Sequence, residues 1–123
     1  MANVAEQLKA AMAIDGVLGV ALVDYNSGMT LGVEGGGPDL DLEVAAAGNT
    51  EVVRAQMKIM SRLGIHESIE DILITLDTQF HLLRLITAPG GEGLFFYMAL
   101  EKGKSNLAMA RIELRSVERG LSL

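Results

Sequence analysis

The sequence predicts an α/β (α+β) fold, a three-layer α/β/α sandwich with elements in the order α-β-β-α-β-β-β-α around one five-stranded antiparallel sheet. Three observations carry this reading. Apolar residues recur at helical spacing near residues 4–12, 39–63 and 107–121. Between these stretches lie five short runs of Val, Ile, Leu and Phe bounded by Gly, Pro, Asn or Asp. Several of those runs are apolar to both sides, so both sheet faces need cover, and three helices can supply it.

The elements follow in chain order. Val4, Leu8, Ala11 and Met12 line one face of a first helix that stops before Asp15-Gly16. Val17 to Asp24, a turn at Tyr25-Asn26-Ser27-Gly28, and Met29 to Glu34 make a strand hairpin. Gly35-Gly36-Gly37-Pro38 holds no regular element, because three glycines lose too much backbone entropy and proline lacks a donor. Asp39, Asp41 and Glu43 favour a helix start, and no breaker intervenes before Gly64. A third strand spans Glu70 to Asp77, a fourth Phe80 to Thr87 and a fifth Leu94 to Leu100, each separated by turn residues. Leu107, Ala110, Leu114, Val117 and Leu121 define the last helix. Short turns make consecutive strands pair antiparallel, and residues 1–123 read as one domain without repeats.

Composition narrows the function. The net charge of −6, from 10 basic and 16 acidic residues, opposes binding to phosphate backbones, so no nucleic-acid partner is expected. Cysteine is absent, which removes disulfides and thiolate chemistry and fits a reducing, cytoplasmic setting. Met1 to Glu6 holds no basic leader, and the apolar run Leu94 to Leu100 is far short of the roughly 20 residues a bilayer span needs. The expectation is a chain with no direct membrane insertion, peripheral to a membrane only through partners. Charge is also uneven: residues 1–51 carry Lys9 against eight acids, while residues 52–123 carry nine basic residues against eight acids. Such polarity suits a protein partner.

The second helix points the same way. At 100° per residue it shows two apolar faces, Ala45, Gly48, Val52, Ala55, Ile59 and Leu63 on one, Ala46, Thr50, Val53, Met57 and Met60 on the other. One face covers the sheet and the other is left for a symmetric second copy. The expected dimer interface comprises Ala46, Thr50, Val53, Met57 and Met60 with Ile72, Ile74 and Leu76 of the third strand. Arg54, Lys58 and Arg62 recur at i, i+4 and i+8 and form a solvated basic stripe suited to an acidic partner surface.

No chemistry-bearing constellation emerges. Gly103-Lys104-Ser105 resembles the tail of a phosphate loop, but Met98 stands where its first glycine belongs. Gly91-Glu92-Gly93 begins a dinucleotide fingerprint that Phe96 breaks. His66 and His81 belong to no metal-ligand spacing. Asp77 and His81 flank one turn, yet nothing nominates a serine to complete a triad. The adjacent acids Glu70 and Asp71 point to opposite sides of a strand. The expectation is a non-enzymatic protein with no catalytic residue, cofactor or metal.

Taken jointly, Gly16 to Asp24 before a glycine turn, His81 to Ile86, Gly93 to Met98 and Ser105 to Arg111 resemble the roadblock (dynein light chain) family over nearly the whole chain. Among its members the chain looks most similar to stand-alone bacterial proteins, including those of the conservon and MglB types. The resemblance implies a homodimer joined through the third strand and the second helix. It also implies a small Ras-like GTPase as partner, scaffolded or regulated by the dimer, with a sensor-kinase-like protein in the conservon setting. Arg54 and Arg62 are conceivable trans arginine fingers, although such fingers normally protrude from loops. The alternative is a small-molecule sensor of profilin-like or PAS-like architecture, for which Thr75, Arg84, Thr87 and Tyr97 are the strand residues able to meet a ligand.

Overall fold

The computed structural model describes residues 3–123. Its helices are α1 (Val4–Met12), α2 (Leu42–Arg62) and α3 (Leu107–Arg119), and its strands β1 (Val17–Asp24), β2 (Thr30–Gly35), β3 (Asp71–Thr75), β4 (Gln79–Leu85) and β5 (Leu94–Glu101). A three-residue 3-10 turn, Lys102–Lys104, follows β5 and was not expected. The strands form one antiparallel sheet in the order β2-β1-β5-β4-β3. Pairing of β1 with β5 closes the two hairpin units into a single sheet, with β2 and β3 at its edges.

Side-chain alternation sorts the core into two layers. Val20, Leu22, Leu82, Phe96, Met98 and Leu100 point to the side covered by α1 and α3, where Leu8, Ala11 and Leu114 meet them. Ala21, Val23, Leu83, Phe95, Tyr97 and Ala99 point to the side covered by α2, where Leu42, Ala46 and Val53 meet them. Strands apolar to both sides therefore occupy the middle of the sheet, as the three-layer expectation requires.

Side-chain caps fix the starts of α2 and α3. Asp41 precedes α2 in an extended conformation, and its carboxylate accepts from the backbone N–H of Glu43 and Val44 at 3.1 and 3.2 Å. Asn106 caps α3 by accepting from Met109 N–H. Gly35 turns out of β2 at φ +76°, and a Cβ there meets the Leu18 carbonyl oxygen at 2.8 Å, so only glycine fits.

Polar links hold α3 to the sheet. Arg84 Nε donates to Glu118 Oε1 at 2.9 Å with both side chains buried, and Arg111 grips Asp71 of β3 through two bonds of 2.9 and 3.1 Å. The Asn3 side chain joins the ends, donating to the Gly120 carbonyl and accepting from Ser122 N–H.

Candidate interaction surface

The surface is built on α2, a 21-residue helix that presents different chemistry around its circumference. Its inward arc carries Leu42, Ala46, Thr50 and Val53, all buried, followed by the half-buried Met57 and Met60. Thr50 returns its hydroxyl to the Ala46 carbonyl at 2.8 Å, which satisfies the one polar group on this arc. Ala46, Thr50 and Val53 are buried on the side of the chain's own sheet, Met57 packs beside them, and Met60 is half-buried at the mouth of a cleft. This corrects the expectation that the arc of Ala46, Thr50, Val53, Met57 and Met60 forms the dimer interface. Leu42 is the physical reason. It lies on the same arc and packs against the top of β1, setting the rotation of the whole helix.

The other apolar face is therefore the one in solvent. Val52, Ile59 and Leu63 are 38%, 49% and 68% exposed, with Gly48 and Ala55 exposed between them. A side chain added at Gly48 meets nothing within 4 Å, so the helix surface there is open to close approach. Beside this stripe run Arg54, Lys58 and Arg62, all exposed and in no ion pair among the described residues.

β3 forms one edge of the sheet. Ile72 and Ile74 are half-buried on the α2 side, while Leu76 lies just past the strand and is exposed. Backbone groups on the outer side of β3 pair with no strand among the described residues, leaving an edge that can accept another.

A polar pair sits on the same sheet face. Gln79 Oε1 lies 2.8 Å from His81 Nε2, and the Tyr97 hydroxyl 3.2 Å from Nδ1. With a carbonyl oxygen facing Nε2, the neutral ring carries its proton there and Nδ1 accepts from Tyr97. Burial lowers the His81 pKa and pushes the Tyr97 phenol up to about 12. Both ring nitrogens are taken, so Asp77, His81 and a serine do not assemble into a triad. His66 is exposed in the loop after α2. No three metal-ligating side chains cluster among the described residues.

A cleft of about 510 Å³ opens between the end of α2, residues 65–69 and the β4–β5 turn. Met57, Met60, Ile65 and Ile69 give it apolar walls, with Tyr25 and Glu92 among its polar lining. Of the strand residues considered for a ligand, Arg84 and Thr87 bond to Glu118, Tyr97 bonds to His81, and Thr75 is exposed. Sequence reasoning did not foresee this cleft, although Thr87 lines it, because three segments distant in sequence meet there: Tyr25, the stretch from Met57 to Ile69 and the stretch from Leu85 to Leu94. No helix of the described residues is long and apolar enough to cross a membrane.

No family model matches the sequence, and no curated protein matches it. Solved structures do. The chain superposes on a Roadblock/LC7 domain from Streptomyces avermitilis with a TM-score of 0.76 at 14% identity, covering 90% of this chain and 87% of that one. MglB of Myxococcus xanthus matches with a TM-score of 0.73 at 15% identity over 93% and 84% of the two chains. The gliding protein MglB of Thermus thermophilus matches with a TM-score of 0.76 at 13% identity over 93% and 82%. At these identities the likeness establishes the roadblock fold.

Proposed function

We propose that the chain is a non-enzymatic homodimeric adaptor that regulates a small Ras-like GTPase in the bacterial cytoplasm. The observation that carries this reading is the pairing of an open β3 edge with an unpartnered apolar stripe on α2 in a roadblock fold. In the proposed dimer the β3 edges join the two sheets, while Gly48, Val52, Ala55, Ile59 and Leu63 pack against their copies. Gly48 and Ala55 let the helix backbones come close, and the larger side chains fill the seam. Arg54, Lys58 and Arg62 then form a basic stripe beside the seam, suited to the acidic surface of a partner.

The test is a tagged pull-down from native extract with GDP or a non-hydrolysable GTP analogue, read by mass spectrometry. A small GTPase whose recovery depends on the nucleotide supports the reading, and reversing the basic stripe to glutamate then abolishes its recovery. Absence of any such GTPase under both conditions overturns it.

One observation favours a second reading, a small-molecule sensor: the 510 Å³ cleft has the size of a ligand site. Under that reading the chain is monomeric and a metabolite that fills the cleft raises its melting temperature.

A further inference from the structure

The sheet has a second open edge, β2, at the opposite end from β3. Natural edge strands are commonly guarded by lysine, proline or an inward-pointing charge. β2 contains neither lysine nor proline, and Glu34 is its one charged residue. Its apolar side chains meet solvent: Leu31 and Val33 are each 38% exposed, and Met29 just before the strand is 69% exposed. Val33 lies opposite Ala21, whose side chain faces α2, so Val33 is on the α2 side of the sheet. There the Thr30 hydroxyl donates to the Glu43 carboxylate at 3.0 and 3.1 Å and holds the first turn of α2 alongside. Val44, in that turn, is 67% exposed.

Charge decides what fits this edge. Residues 10–53 contain seven acids and no Lys, Arg or His. Glu34, Asp39 and Glu43 make no ion pair among the described residues. A second copy placed on β2 by a twofold axis sets these acids against their own kind, and like charges opposite one another destabilise a strand pair. Nucleic acid and anionic membrane surfaces are repelled by the same field.

We propose that the β2 edge accepts an extended segment of another protein as an added strand, with basic residues alternating with apolar ones. Backbone groups of β2 supply the affinity. The apolar residues of the incoming strand lie over Val33 and Val44 on the α2 side, and its cations, on the opposite face of the sheet, meet Glu34, which lies opposite Val20. This site is separate from the β3 edge and does not depend on dimer formation there.

The test uses two short synthetic peptides, one alternating lysine with valine and the other alternating glutamate with valine. Binding is followed by calorimetry and by amide hydrogen exchange on the full chain. The lysine peptide is expected to bind saturably and slow exchange across residues 30–35, and the glutamate peptide to do neither. Leu31→Lys with Val33→Lys is expected to weaken binding roughly tenfold or more without changing solution mass. Glu34→Lys, a change at a half-buried position, provides a second variant and is expected to weaken binding in the same direction. Equal binding of both peptides, protection at residues 71–75 instead of 30–35, undiminished binding by the variants, or no binding of the lysine peptide overturns the proposal.

Discussion

Arg84 and Glu118 show how much a single pair can decide. Both are buried, and their 2.9 Å contact joins β4 to α3. Glu118→Ala leaves a buried guanidinium without its counter-ion, and the expected loss is about 3 to 5 kcal/mol in urea unfolding. The double change Arg84→Met with Glu118→Leu removes both charges and is expected to cost less than Glu118→Ala alone. At His81 the sign follows from burial, which holds the folded-state pKa below its ordinary value of 6.5. Neutral His81 contributes stability that is fully present above about pH 6.5. That contribution is lost as the pH falls from there through the lower folded-state pKa, because the unfolded chain binds the proton more readily. His81→Gln is expected to flatten this acid limb in urea titrations read at several pH values. Neither pair was legible in the sequence. Arg84 lies 34 residues from Glu118, and Arg111 lies 40 residues from Asp71. No periodicity links such positions until the sheet order is known.

At the scale of elements, most of the fold was legible, because strands apolar to both sides and helices with one apolar stripe have few ways to pack. For α2 the sequence revealed two apolar faces without saying which one turns inward. Both carry Val and a longer apolar side chain, so a hydrophobicity comparison favours neither. The anchor is Leu42, which follows the Asp41 cap and shares its arc with Ala46 and Val53. Substitution separates the two faces. Val53→Glu places a carboxylate in the α2 layer of the core and is expected to cost several kcal/mol of stability, seen as a lower urea midpoint. Ile59→Glu lies on the exposed stripe and is expected to leave a folded monomer while lowering the solution mass from twice 13.1 kDa to 13.1 kDa. If Ile59→Glu retains the dimer mass, the exposed stripe is not the seam.

At the scale of the whole molecule, the sheet ends in two unpaired edges of different character. β3 is five residues long and carries the half-buried Ile72 and Ile74, while β2 sits among acids that make no ion pair among the described residues. A chain of 123 residues can fold alone, yet 50% of its residues are apolar and an apolar helix stripe remains in solvent. In the proposed dimer a second copy on β3 and α2 buries that stripe and leaves the acidic β2 edges at the two far ends of a continuous sheet. Such coupling of folding to association has a measurable signature. When the native state is a dimer and the unfolded state is not, mass action raises the melting temperature as protein concentration increases. The wild-type chain is expected to show this rise over a hundredfold range of concentration, whereas Ile59→Glu is expected to melt at one temperature throughout. A concentration-independent melting temperature for the wild type, together with a 13.1 kDa solution mass, instead leaves the α2 stripe free in the isolated chain. Under the proposed function its cover then comes from the partner protein itself, bringing the basic residues beside that stripe into the same contact.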